Sequence, residues 1–203
     1  IGNLKRKEII NFNKKNLENE NFDVIKILVL GGSQAAKVFA EKLPLIFKRC
    51  KKEEISIKVY QQCLKNQKDD LLLFYKNLNI DFEIFNFTNN IHEYFSKVNL
   101  AITRSGASIM GELTNANIPF ISVPLPTSAD NHQLKNALYY EKISFSYLIE
   151  EKNLEAKLFD LIKLLYKDKS LLKRMKINQS QYSDKNVFQN INLQLEKIFN
   201  EKN

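Results

Sequence analysis

Short apolar runs of β type recur at Lys26–Leu30, Ser56–Gln61, Asp81–Phe87, Leu100–Thr103, Pro119–Pro124 and Phe145–Ile149. Segments with helical spacing of apolar positions lie between them. Val38, Leu43 and Phe47 predict a first helix; Leu71, Leu72, Tyr75 and Leu78 a second. Ile91, Tyr94, Phe95 and Val98 predict a third, and Leu134, Leu138 and Tyr139 a later one. Strands that alternate with helices at this spacing predict βαβ units and a parallel sheet covered on both faces. Near-continuous apolar runs such as KILVL and FISVP suit strands buried on both sides.

The strand pattern stops after Glu150. Leu154, Leu158, Leu161, Ile162 and Leu165 mark one amphipathic helix, KSLLKRMK opens another, and Val187, Ile191, Leu195 and Ile198 share the face of a last one. These readings predict a doubly wound, Rossmann-like α/β domain over residues 23–183. Residues 1–22 form a Lys- and Asn-rich lead-in, and 184–203 a C-terminal helix.

Glycine is scarce, and its placement carries information. The five are Gly2, Gly31, Gly32, Gly106 and Gly111. Gly31 and Gly32 follow the first strand, and Gly106 follows Leu100–Thr103. Open α/β sheets bind ligands outside the carboxyl ends of their strands, and helix N-termini there attract phosphate. Each turn alone reads more readily as a tight βα connection; the two together read equally well as phosphate contacts. A diphosphate there would be met by helix N-termini and cations such as Arg104, and Glu112 suits a ribose diol or a helix N-terminal charge. Neither GxGxxG nor GxxxxGK[ST] occurs, so a classical dinucleotide site or P-loop is not supported.

Composition removes several classes. No apolar run is long enough to span a membrane, and the N-terminus has no secretory signal pattern. Cys50 and Cys63, 13 apart, are expected to be reduced structural thiols. His92 and His132 show no metal-ligand spacing, so no metal is expected. The net charge of +8 can favour nucleic acid, an anionic membrane surface or phosphorylated ligands. The lysines are scattered, and the Lys48–Lys52 cluster suits a solvated helix end.

Three ordered stretches, ILVLGGSQAAK, ITRSGASIMGEL and IPFISVPLPTSADNHQLKNA, resemble the C-terminal half of the MurG family. Those bacterial enzymes transfer N-acetylglucosamine from UDP-GlcNAc to lipid I, making lipid II. GNLKRKEI at Gly2–Ile9 resembles the segment that leads into this half. The resemblance covers roughly residues 1–200. It implies the GT-B architecture and an inverting transfer without cofactor or metal. It places Arg6 near the phosphates and Ser33 on one of them, with Gly31 and Gly32 clearing space. It puts Thr88 beside the uracil and the backbone N–H groups of Ala107, Ser108 and Ile109, after Gly106, on the diphosphate. Glu112 holds the ribose, Gln133 and His132 meet the GlcNAc hydroxyls, and Asn136 supports them.

Ala35, Lys37 and Leu4 stand where the family usually has Gly, Arg and Pro, and Thr88 where an aliphatic residue is common. The resemblance implies that the acceptor site for lipid I and the general-base histidine belong to an N-terminal domain outside this sequence, so that this part alone does not transfer. It further implies a peripheral enzyme on the cytoplasmic face of the inner membrane, drawn to its anionic surface and not to nucleic acid. Another GT-B glycolipid glycosyltransferase or a UDP-GlcNAc epimerase is the alternative. A basic nucleic-acid-binding α/β domain is a remote one, because most aromatics fall at core spacing.

Overall fold

A computed structural model describes residues 22–181, apart from the side chains of residues 33–36. Six parallel strands form one sheet: β1 (Ile25–Leu30), β2 (Ile57–Gln62), β3 (Asp81–Phe85), β4 (Leu100–Thr103), β5 (Phe120–Ser122) and β6 (Ser146–Leu148). The spatial order is β3-β2-β1-β4-β5-β6. Chain order reverses between β1 and β4, the topological switch point of a doubly wound sheet. Seven α-helices appear among the described residues: α1 (Gly32–Lys52), α2 (Lys68–Asn77), α3 (His92–Phe95), α4 (Ala107–Asn115), α5 (His132–Lys142), α6 (Leu154–Lys167) and α7 (Lys169–Gln181). The expected Rossmann-like fold is the one observed.

The sheet carries a core on each face. One packs Ile27, Val29 and Val59 against Phe39, Leu43 and Phe47 of α1, Tyr75 of α2 and Leu158 and Ile162 of α6. The other packs Leu28, Leu30, Tyr60 and Phe120 against Phe95 of α3, Met110 and Leu113 of α4 and Tyr140 of α5. All four residues of β4 are buried, as a central strand covered on both faces requires. Phe22, at the end of the predicted lead-in, already belongs to the first core. The rest of that lead-in, including Arg6, and the predicted helix over 184–203 lie outside the described residues.

One helix is rotated relative to its reading. Leu138 and Tyr139 were expected to face inward, yet both are about half exposed, while Ala137 and Tyr140 are buried. Two consecutive left-handed residues, Asp130 and Asn131, set the phase of α5 before its first turn. The α1 end is as expected: Arg49, Lys51 and Lys52 occupy its last turn. Cys50 and Cys63 are free and buried.

Four of the five returns from helix to strand among the described residues share a device. Glu54 before β2, Asn79 before β3, Asn117 before β5 and Ser144 before β6 all have φ between 49° and 60°. Non-glycine residues thus occupy a region that usually favours glycine or asparagine.

Candidate functional site

A cleft of about 410 Å³ lies at the carboxyl ends of the strands. Leu30, Gly31 and Gly32 line it from β1, Gln62 from β2, and Phe87, Thr88 and Ile91 from the segment after β3. Thr103, Arg104, Gly106 and Ile109 line it from β4 and α4, with Leu125 and Gln133 beyond β5. The register pairs Leu30 with Thr103, and Arg104 N–H donates to the Leu30 carbonyl at 3.3 Å. The two glycine turns therefore leave the sheet side by side, as the sequence pattern predicts.

The turns are built differently. Gly31 has φ −89° and ψ −12°, and Gly32 follows at φ +66°. A Cβ on Gly32 would meet nothing within 4 Å, so backbone conformation is what demands glycine there. The open space beside Gly32 is on the cleft, where the sequence expects Gly31 and Gly32 to leave room for a diphosphate. Gly106 has φ −70° and ψ 137°, which any residue adopts. An added Cβ there would meet only Ile109 Cγ2 at 3.9 Å, an ordinary contact.

The first bond of α4 runs from Met110 N–H to the Gly106 carbonyl at 3.2 Å. The N–H groups of Ser108 and Ile109 precede that bond and stand at the positive end of the helix dipole. Side chains clamp this turn. Gln133 Oε1 accepts from Ser105 N–H at 3.1 Å and from Leu125 N–H at 3.0 Å. Asn136 Nδ2 donates to the Ser105 carbonyl at 3.0 Å.

Arg104, expected to meet the diphosphate, lines the cleft with its guanidinium held by protein groups. Its Nη1 donates to the Val123 and Pro124 carbonyls at 3.2 and 3.3 Å, and its Nη2 pairs with Glu151. The guanidinium also stacks on Phe39, 4.9 Å from the ring centroid. The side chain is 7% exposed, so its charge is committed to joining the ends of β4 and β5 to the turn after β6. Arg104 Nε and Ser105 Oγ are buried without a hydrogen-bond partner among the described residues.

The other expected residues are distributed as follows. Thr88 Oγ1 accepts from Asn90 N–H at 3.0 Å in a local turn at the cleft wall. The exposed His132 joins Nδ1 to the Ala129 carbonyl at 2.8 Å, and His132 is not among the cleft-lining residues. Glu112 is buried in α4 at 3% exposure. Ser33 and Ala35 lie in the first turn of α1, where side chains are not described. Sequence reasoning overlooked Gln62, because it ended that strand one residue early, and Glu151, which lies 47 residues from its partner. Attention to every strand end would have found the first; the second has no local signal.

Residues 26–191 match the glycosyltransferase family 28 C-terminal domain. A protein of Pelagibacter ubique named UDP-N-acetylglucosamine--N-acetylmuramyl-(pentapeptide) pyrophosphoryl-undecaprenol N-acetylglucosamine transferase is 34% identical over 193 residues, covering 94% of this chain and 54% of the relative. A Rickettsia prowazekii protein of the same name is 36% identical over 161 residues, covering 78% of this chain and 42% of the relative. The chain thus spans about half the length of the curated relatives it matches. The crystal structure of Acinetobacter baumannii MurG superposes with a TM-score of 0.79 at 23% identity, over 93% of this chain and 55% of that one. The UDP complex of Staphylococcus aureus MnaA follows at 0.63 and 15% identity, over 93% and 50%. With a family pattern matched over most of its length, the chain belongs to glycosyltransferase family 28, whose C-terminal domain it carries.

Proposed function

We propose that this chain is the donor-binding half of an inverting N-acetylglucosaminyltransferase that uses UDP-GlcNAc to convert lipid I to lipid II. The observation that carries the reading is the cleft at the β1/β4 switch point, flanked by a glycine turn on one strand and the N-terminus of α4 on the other. The diphosphate lies over these two turns. Ser108 and Ile109 N–H groups point their dipoles at it, and Ser33 and Arg6 add contacts from the β1 side. Ala107 belongs to the same helix start. The absence of a side chain on Gly106 lets the phosphates approach the backbone.

During transfer the lipid I sugar hydroxyl attacks the anomeric carbon of GlcNAc, and UDP leaves carrying the electron pair of the broken C–O bond. Negative charge grows on the diphosphate. Fixed N–H groups act most strongly where charge develops, because they need no reorganisation during the reaction. The clamp on Ser105 by Gln133 and Asn136 holds that turn in place. Gln133 Oε1 is claimed by two N–H groups, so only its Nε2 is left for a GlcNAc hydroxyl, and it meets that hydroxyl as a donor. Thr88 borders the uracil, Glu112 serves the ribose, and Asn136 and His132 act on the sugar side through the loops they hold. Arg104 acts by positioning and not by touching phosphate.

Acceptor binding and proton removal fall to the remainder of the whole enzyme, and the basic chain suits an anionic membrane surface on the cytoplasmic side. Among the described residues no helix is long and apolar enough to cross a membrane. Titration calorimetry of this chain with UDP-GlcNAc and UDP-glucose tests the reading. Saturable heat with UDP-GlcNAc is expected; no heat with either sugar nucleotide sinks it. The chain alone is expected to leave a lipid I analogue unmodified.

A further inference from the structure

Two adjacent glutamines end β2, and they face opposite sides of the sheet. Gln61 turns toward α2, where its Oε1 accepts from the buried Tyr75 hydroxyl at 2.6 Å. Gln62 shares its face with Tyr60, on the α3 and α4 side, and lines the cleft. The residue is 8% exposed, and its accessible part borders the cleft. Its amide atoms are not sealed from solvent as the partnerless Gln61 Nε2 is; they open on the cleft, where a ligand can reach them. A carboxamide lining an open cleft is a group set up for a ligand.

The order of strands says which part of a ligand it meets. If the diphosphate lies over β1 and β4, and the sugar extends toward Leu125 and Gln133 beyond β5, the nucleoside extends the other way. β2 is the next strand in that direction, about 4.8 Å from β1, and β3 with Phe87 and Thr88 follows. Leu30, Phe87 and Ile91 supply apolar surface for a flat ring at that end. A carboxamide offers one donor and one acceptor side by side, matching the polar edge of a pyrimidine or a ribose hydroxyl. We propose that Gln62 is a further donor-contacting residue, whose carboxamide hydrogen-bonds the nucleoside of the bound sugar nucleotide. This rests on the donor-binding reading above and adds a residue to it.

Gln62→Met keeps the length of the side chain and removes both polar atoms. Calorimetry and competition with uridine, UDP and UDP-GlcNAc are the measurements, with a thermal melt of the ligand-free protein beside them. The expected result is a loss of affinity of about tenfold for all three ligands, the scale of one to two neutral hydrogen bonds. The ligand-free melting temperature is expected to hold, because the amide removed makes no side-chain hydrogen bond among the described residues. A merely structural glutamine would instead lower the melting temperature and leave affinity intact, and that result overturns the proposal. A loss confined to UDP-GlcNAc overturns it too, by moving the contact to the sugar. If the unaltered chain binds none of the three, the donor-binding reading itself falls; if it binds them and Gln62→Met binds as tightly, only the role of Gln62 does.

Discussion

Both edges of the sheet use the left-handed backbone region, since Asp130 and Asn131 take it before α5, but among the described residues only the cleft edge also places glycine there. At the edge where helices return to strands, Glu54, Asn79, Asn117 and Ser144 take positive φ without glycine. At the opposite edge, where strands open into helices around the cleft, Gly32 takes φ +66°, and Gly106 is a glycine that neither its φ nor its neighbours require. A chain that manages left-handed turns with other residues is not using glycine at the cleft for turning alone. The difference separates glycine needed for shape from glycine needed for something that arrives from outside.

The largest expected effect concerns the ion pair that joins the ends of β4 and β5 to the turn after β6. Glu151→Ala leaves the buried Arg104 guanidinium with its carbonyl contacts but no counter-charge. A loss of about 3 kcal/mol in unfolding free energy is expected from urea denaturation; a loss below about 1 kcal/mol means that Glu151 is dispensable to that junction.

Gly106→Ala is the direct test of a glycine kept for a ligand. Stability is expected to stay within about 0.5 kcal/mol, while affinity for UDP-GlcNAc falls at least about tenfold, or 1.4 kcal/mol. Unchanged affinity with lowered stability would break the comparison.

Gly32→Ala and Glu54→Gly form a matched pair across the sheet. The first puts a Cβ at φ +66° and is expected to cost about 1 kcal/mol. The second removes one at φ 57° and is expected to gain less than about 1 kcal/mol. Equal and negligible shifts would show that neither edge feels its φ.

The smallest effect is alkaline. Burial pushes the Cys50 thiol, near the far end of α1, up to about 12 from an ordinary value near 9. The folded state favours the neutral thiol, so its contribution is complete below pH 9 and is lost as pH rises from about 9 to about 12. Denaturation across that window is expected to show a shallower decline for Cys50→Ala than for the unaltered chain.

Much of this architecture could be read from local pattern. β1, β4 and β5 are short apolar runs because both faces of a central parallel strand are covered, and the edge where Gly31 and Gly106 meet follows from the doubly wound order. What pattern alone did not give depends on distance or on phase. α5 buries Ala137 and Tyr140 and not Leu138 and Tyr139, since Asp130 and Asn131 turn the helix before size can choose its inner face. Arg104 looked like a ligand cation because arginine after a strand end is exposed by default; the partner that draws it inward lies in another βα unit. Gln133, expected at the sugar, also joins two loops through its oxygen, a tie that spacing does not reveal.

That last bond pair has a consequence in polarity. With Gln133 Oε1 occupied by two N–H groups, the carboxamide cannot flip, and its two ends do separate work. Glutamate at this position would keep an oxygen for both N–H groups and replace the nitrogen by a second acceptor. A single change of N to O would therefore leave the loops joined and silence whatever the amine end says to a ligand.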